Sequence, residues 1–216
     1  MPMPFPQYAN IKDNYCCSYL GNAPEYVLAL NLLKPQIEEQ LPGLRFWISC
    51  CSSFKYLIEN KDVVFSGDFK KEQFAYVREV RNDSNYHSII KLIEESDLHI
   101  HPIKVNKKTT KGTCLICPEG ISPTKPMTNI NYFKEKALKE GYHPMVLGSD
   151  IHYSLNLDLR PKGEEKIKHI SEASWIIGVE NEYTLLGATK GIRTTLVKTG
   201  IGHTLFKRLV PDIELV

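Results

Sequence analysis

The sequence is short of anything that would commit it to a charged partner or to a bilayer. Its 27 basic and 25 acidic residues leave a formal charge of only +2, too even a balance for a nucleic-acid partner or an anionic membrane surface. No apolar run approaches the ~20 residues that a membrane-spanning helix needs. The start, MPMPFPQY, has no basic segment followed by an apolar core, so no secretory signal is expected. Its closely spaced prolines predict an extended or frayed N-terminus instead. Neither GxGxxG nor GxxxxGK[ST] occurs, which argues against a dinucleotide fingerprint and against a P-loop NTPase. No internal repeat has a convincing period.

Cysteine is present but sparsely patterned: Cys16-Cys17, Cys50-Cys51 and the run Cys114-Leu115-Ile116-Cys117. Each pair falls in an apolar, strand-like stretch, where a free thiol behaves as a small hydrophobe. No second CxxC or histidine pair completes a zinc set, and a redox CxxC normally opens a helix rather than sitting within a strand. Structural thiols in a reducing, cytoplasmic compartment are therefore expected, with no cofactor.

What is present is an ordinary globular composition, 42% hydrophobic and 24% charged over 216 residues, enough for one compact domain or two small ones. Strand-like and helix-like segments alternate. Asn14 to Leu20 reads as a strand; after Gly21-Asn22-Ala23-Pro24 a helix follows, with Val27, Leu28, Leu30 and Leu33 on its apolar face and Pro35 kinking or dividing it. Arg45 to Cys51, Asp62 to Phe65 and Phe74 to Val80 read as strands, Ser53 to Asn60 as a short helix. Ser84 caps a helix carrying Ile89, Ile90 and Ile93, and Leu98 to His101 reads as a brief strand. The clearest break in composition is residues 104–112 (KVNKKTTKG), basic and without apolar periodicity. It predicts a linker between an N-terminal unit, residues 1–103, and a C-terminal unit, residues 113–216.

The second unit reads more cleanly. Thr113 to Cys117 is a buried strand, and a Pro- and Gly-containing loop leads to a helix from about Thr128 to Glu140. Ile130, Phe133, Ala137 and Leu138 share its apolar spacing and Gly141 closes it. His143 to Gly148 is a strand, and Lys162 to Ala173 a helix with Ile167, Ile170 and Ala173 on one face. The stretch Ser174 to Lys198 then gives a buried strand (Trp175 to Val179), a polar turn (Glu180, Asn181, Glu182), a short helix (Tyr183 to Lys190) capped by Gly191, and a second strand (Arg193 to Lys198). A last segment lies around Ile213 to Val216. Strands alternating with helices imply an α/β fold of parallel sheets, with ligands at the carboxyl ends of the strands.

Three strand-to-loop junctions would share that edge of the second sheet. The first is the loop with Glu119, Gly120, Ser122, Thr124 and Lys125, whose hydroxyls and lysine suit a pyrophosphate. The second is Gly148, Ser149 and Asp150, where small residues let a ligand approach the backbone. The third is Glu180, Asn181, Glu182, Tyr183 and Thr184, a polar turn at a helix N-terminus, where unpaired N–H groups and the peptide dipoles favour anions. The same turn chemistry also arises for purely conformational reasons. His99 and His101 would lie on one face of a strand; without a third ligand they read as exposed strand residues rather than a metal site. Asp150 and His152 are read likewise as loop contacts, and Lys107, Lys108 and Lys111 as a solvated linker.

The order of elements resembles that of bacterial family 9, heptosyltransferase-like glycosyltransferases. The resemblance is carried by Glu172 to Gly178 and Leu186 to Val197, with Tyr15 to Ile48 following the family's opening strand, loop, helix and turn. It implies two small Rossmann-like parallel-sheet domains facing a cleft, the GT-B-like arrangement. It also implies transfer of a sugar from a nucleotide diphosphate sugar to a glycan, a lipid-linked acceptor or another hydroxyl. Absence of any Asp-x-Asp fits the metal-independent form of that reaction. By the resemblance, Ser122, Thr124, Lys125 and the Tyr183-Thr184 helix end would meet the diphosphate, and Glu180 or Glu182 would hold sugar or ribose hydroxyls. Glu25 would take the acceptor's proton beside Asn22. Asn22 stands where the family carries an aspartate, and Glu180-Asn181-Glu182-Tyr183 replaces a DSG-type motif with its histidine. The first half is shorter than usual and the chain stops before the family's usual crossing back. These departures keep open a catalytically inactive nucleotide-sugar or glycan-binding module of the same fold, and an enzyme of the sugar-nucleotide epimerase type.

Overall fold

A computed structural model describes residues 14–20, 31, 33–41, 45–50, 63–65, 76–81, 99, 101–102, 111–119, 127–148, 164–198, 210 and 213–216. The chain divides into two compact units, Met1–His101 and Pro102–Val216. Both are built on parallel strands, the α/β architecture that alternating apolar strands and amphipathic helices require. No helix among the described residues is long and apolar enough to cross a membrane.

The first unit holds strands β1 (Asn14–Leu20), β2 (Arg45–Cys50), β3 (Val63–Phe65) and β4 (Tyr76–Arg81) in the order β3-β2-β1-β4. Tyr15 pairs with Phe46 on one side and Tyr76 on the other, all in parallel. Helix α1 (Lys34–Gln40) carries Pro35 in its first turn, where a missing N–H is harmless; the proline begins this helix. Lys34, 4% exposed, pairs with Glu38 one turn on. The two side chains then take both main-chain groups of Phe46. Lys34 Nζ donates to the carbonyl at 2.9 Å, and the amide donates to Glu38 Oε1 at 2.8 Å. The register with β3 begins only at Ile48, so this ion pair satisfies the strand where β3 does not.

Helix α1 also fixes the end of the unit. Gln40 donates to the His99 carbonyl at 2.9 Å and accepts from its N–H at 3.0 Å, and Gln36 makes the same pair of bonds to His101. The strand expected over Leu98 to His101 is thus not seen at His99 or His101. Two glutamine amides, one helical turn apart, stand in for the neighbouring strand that the backbone would need. The imidazoles are exposed and meet edge to face, with centres 4.7 Å apart. The helices expected over Ser53 to Asn60 and after Ser84 lie outside the described residues, as do residues 104–110.

The second unit is a five-stranded sheet of β5 (Thr113–Cys117), β6 (His143–Val146), β7 (Trp175–Gly178), β8 (Arg193–Leu196) and β9 (Glu214–Leu215), in the order β6-β5-β7-β8-β9. Helices α2 (Ile130–Lys139), α3 (Glu164–Glu172) and α4 (Glu182–Thr189) make the crossovers. Helix α2 covers one face, its Phe133 and Ala137 packing on Cys114, Ile116, Trp175 and Ile177. Helix α4 covers the other, with Gly187 flush against Ile176, so that a Cβ there would come within 2.2 Å of Ile176 Cδ1. Gly141 and Gly191 end α2 and α4 at φ of 81° and 73°, the left-handed conformation anticipated for both caps. Leu138, expected on the buried stripe, is 58% exposed. The stripe centres on Phe133 and Ala137, and the residue that follows Ala137 turns about 100° away from it.

Cys114 and Cys117 are buried free thiols within β5. Burial pushes the Cys114 thiol up to about 12 and Cys117 higher still, so neither is a thiolate at neutral pH. That is the packing role expected of them. The other four cysteines lie outside the residues whose side chains are described.

Candidate functional site

The order β6-β5-β7-β8 creates a divide between β5 and β7. The chain leaves β5 for β6 on one side and β7 for β8 on the other, and the connecting helices α2 and α4 lie on opposite faces. At such a switch point the loops after the two strands part and leave a crevice at their carboxyl ends, the usual ligand position in open parallel sheets.

Asn181 spans this divide. Its backbone is extended (φ −149°, ψ 172°), and Oδ1 accepts the Thr184 N–H at 2.8 Å, the geometry of a helix N-cap. Its amide donates to the Glu119 carbonyl at 2.7 Å, and more weakly to that of Cys117 at 3.5 Å. With 2% exposure it serves as a clamp between the end of β5 and the start of α4. The Thr184 N–H, which the resemblance offers to a diphosphate, is donated to Asn181 instead.

The carboxylate of Glu182 lies in the first turn of α4, where the helix dipole favours an anion. Burial nevertheless raises its pKa. The raising is opposed by its own backbone N–H, the Tyr183 hydrogen bond and the Lys166 charge, and Glu119 adds to it. Oε2 is closed off from solvent and has no hydrogen-bond partner among the described residues, and neither has Thr184 Oγ1. Tyr183 is buried at 6% exposure and Glu180 at 5%. Lys166, on α3, is equally buried. Its ammonium donates to the Tyr183 hydroxyl at 3.1 Å and lies 5.3 Å from the centre of the same ring.

On the α2 side, the loop that leaves β5 is closed at its neck by the Met127 N–H, which donates to the Pro118 carbonyl at 2.7 Å. The start of α2 differs from that of α4: Asn129 makes no side-chain cap and the first turn holds no acid. A cavity of about 490 Å³, lined by Thr128, Asn129, Ile130, Asn131, Tyr132 and Lys134, opens over that helix start. Gly148 is buried where β6 runs out.

Of the residues expected from the sequence, Glu119, Glu180, Asn181, Glu182, Tyr183 and Thr184 come together at the β5–β7 edge, and Gly148 follows β6 on the same edge. Asn22, Glu25, Gly120, Ser122, Thr124, Lys125, Ser149 and Asp150 lie outside the described residues. Lys166 was not anticipated. Its signal is the spacing Lys166-Ile170, one helical turn apart on the face that also carries Ile167, a lysine on a buried stripe. Among the described residues no group of three or more His, Cys, Asp or Glu is placed to hold a metal ion.

The buried carboxyl has a measurable consequence. Glu182 ionises at about 4.5 in the unfolded chain and higher in the fold. Between those values the folded state keeps a proton that the unfolded state has lost, so the group's contribution to stability falls as pH rises through that window. Glu182→Gln has no proton to lose. Wild type minus variant stability is expected to drop as pH rises from ~5 to ~8. Urea unfolding at both pH values checks this; a difference that does not change with pH would show that the carboxyl ionises freely in the fold.

No protein-family model matches the sequence, and no curated protein matches it at a significant level. Solved structures do match in shape. The bacterial iron-containing dodecameric glycosyltransferase TibC from enterotoxigenic E. coli aligns over 87% of this chain, with a TM-score of 0.60 at 13% identity. A structure of TibC, described as a dodecameric iron-containing heptosyltransferase in complex with ADP-D-β-D-heptose, aligns over 98% of this chain and 67% of its own, with a TM-score of 0.58 at 14% identity. A family 9 glycosyl transferase from Veillonella parvula aligns over 95% of this chain and 85% of its own, with a TM-score of 0.56 at 7% identity. The chain spans 59% of the first of these TibC structures. At such identities the likeness establishes the fold: this chain has the α/β, parallel-sheet architecture of glycosyltransferase structures.

Proposed function

We propose that this protein is a glycosyltransferase that moves a sugar from a nucleotide diphosphate sugar to a hydroxyl acceptor without a metal ion. One observation carries the reading. The polar cluster of half-buried Glu182 with buried Tyr183 and Lys166 stands at the switch point of the second unit, in a fold shared with a protein seen in complex with ADP-D-β-D-heptose. A nucleotide sugar asks a site for two things, acceptors for its hydroxyls and positive or N–H groups for its diphosphate. Glu182 and Glu180 supply the first. For the second, the reading uses Ser122, Thr124 and Lys125 together with the uncapped start of α2, because the Thr184 N–H at the start of α4 is already engaged by the Asn181 side chain. Charge that builds on the leaving diphosphate is met there by donors fixed in advance, which is where such groups act most strongly. Ser149 and Asp150, after Gly148, complete the donor side, and Glu25 beside Asn22 serves the acceptor.

Titration with UDP, GDP and ADP by calorimetry tests the reading. One of the three is expected to bind, and Lys125→Ala to weaken that binding about 10- to 100-fold through loss of a charge-assisted contact. Absence of binding by all three would overturn the nucleotide assignment. Unchanged affinity in the variant would move the diphosphate away from Lys125. Asn22, in place of the family's aspartate, favours the alternative of a binding module, which would bind the nucleotide sugar and release no nucleoside diphosphate with any acceptor.

A further inference from the structure

We infer that His99 and His101 form a two-histidine chelate at the end of the first unit, a site for a divalent transition-metal ion of the zinc or nickel class. The pair stands apart from the nucleotide-sugar reading: it belongs to the first unit, and the ion is given no part in the transfer.

The first observation is that both rings are open to a ligand. Each histidine is exposed. Among the described residues the two rings touch only each other, edge to face, with centres 4.7 Å apart. A neutral imidazole keeps a lone pair on one nitrogen, which makes histidine the commonest ligand of such ions. Metal–nitrogen bonds of about 2.1 Å place each ring centre about 3.2 Å from the ion, so two imidazoles in neighbouring positions on one ion have centres about 4.5–5.2 Å apart. The observed spacing lies in that interval. Rotation of the two exposed side chains is then the adjustment that brings one nitrogen of each to a shared ion.

The second observation is what keeps the spacing. Two histidines on a freely moving segment would lose much of a chelate's advantage to the cost of ordering them. Here Gln40 accepts from the His99 N–H at 3.0 Å and donates to its carbonyl at 2.9 Å, and Gln36 makes the same pair of bonds to His101. Both glutamines lie on α1, which is itself tied to β2 through Lys34, Glu38 and the main chain of Phe46. With the main-chain groups of both residues turned to one helix, as at alternate positions of a strand, the two imidazoles share a face. Among the described residues no third His, Cys, Asp or Glu joins them, so water fills the other positions and the site is open. Imidazole ligands suit the later first-row ions, whereas Mg2+ asks for oxygen.

The test titrates ZnCl2 into the full chain labelled with nitrogen-15 at histidine and follows the ring nitrogens by NMR, with MgCl2 as the control. His99 and His101 are expected to shift together on one binding curve, and Mg2+ to move neither. His99→Ala and His101→Ala, both at exposed positions, each reduce the chelate to a single ligand, and the ring that remains is expected to bind about tenfold or more weakly. Gln40→Ala keeps both imidazoles and unfastens His99, so it is expected to weaken binding several-fold. Ring shifts on separate curves, or an unchanged affinity of the remaining ring in a single-alanine variant, overturn the inference, because the histidines would then act singly. Heat of Zn2+ binding in calorimetry with neither ring shifted overturns it too, since the ion would be held elsewhere. Full affinity in Gln40→Ala overturns the glutamine clamp as what presents the pair. The wild-type ring shifts decide the chelate whether or not a variant folds.

Discussion

Replacing Trp175 with alanine is expected to destabilise the second unit by about 3–5 kcal/mol, the usual range for removing a buried aromatic. The ring is fully buried at the head of β7 and nearly every group around it uses it. Arg193 stacks its guanidinium 3.8 Å from the ring centre, Lys136 lies 5.6 Å from it, and Tyr142 meets it edge-on at 5.2 Å. The indole N–H donates to Thr195 Oγ1 at 2.9 Å, and that hydroxyl passes its own proton to Glu214 Oε2 at 2.9 Å. Glu214 is also held by Lys136 at 2.8 Å and approached by Arg193 at 3.8 Å, while Arg193 reaches Glu140 at 2.7 Å. Alanine would leave a cavity under α2, a guanidinium without its stacking surface and a threonine hydroxyl without its donor. Trp175→Phe keeps a ring for Arg193 and loses the N–H, so it should fall well short of the alanine loss. Urea unfolding of the full chain measures both. A loss below about 1.5 kcal/mol for the alanine variant would show that α2 closes over the gap.

That network also marks how far the sequence could be read. Local signals were plain: apolar runs bounded by proline and glycine gave β5 and β7 nearly to the residue, and Gly141 and Gly191 lie at helix ends because no other residue is as tolerant of φ near +75°. The parallel order follows from the alternation of strands and helices. What escaped is what depends on separation in sequence. Nothing local ties Arg193 to Trp175, or Gln36 to a backbone 65 residues away at His101. The same holds at the site. Glu180, Asn181 and Glu182 look alike as polar turn residues, yet Asn181 is used by the fold as a clamp between the end of β5 and the start of α4, while the Glu182 carboxyl keeps an oxygen without a partner among the described residues. Lys166 hid because a lysine on an amphipathic helix ordinarily lies on its wet face. Its burial is set by Tyr183, which arrives from the next helix.

Gly178→Ala is the second large effect, and it bears on the site rather than on the base of the sheet. Gly178 is the last residue of β7, where the chain turns toward α4. A Cβ placed there would lie 2.2 Å from Thr184 Oγ1 and 2.9 Å from the Cys117 carbonyl oxygen. Thr184 could yield by turning its side chain, but the carbonyl is main chain and already accepts the Val179 N–H at 3.2 Å. Relief therefore requires the end of β7, and with it the turn into α4, to move away from the end of β5, to which Asn181 ties that turn. Overpacking of this kind costs about 2–3 kcal/mol. On the nucleotide-sugar reading proposed above, it should also weaken nucleotide binding beyond what lower stability alone produces, because Glu182 moves with the turn. Adding Thr184→Ala removes one of the two clashes and leaves the backbone one. The double variant is then expected to recover part of the lost stability, and a double-mutant cycle should give a coupling of about 0.5–1.5 kcal/mol between the two positions. Additive losses would mean that the alanine is accommodated without touching Thr184, and that the glycine at the end of β7 is not what seats the helix against the strand.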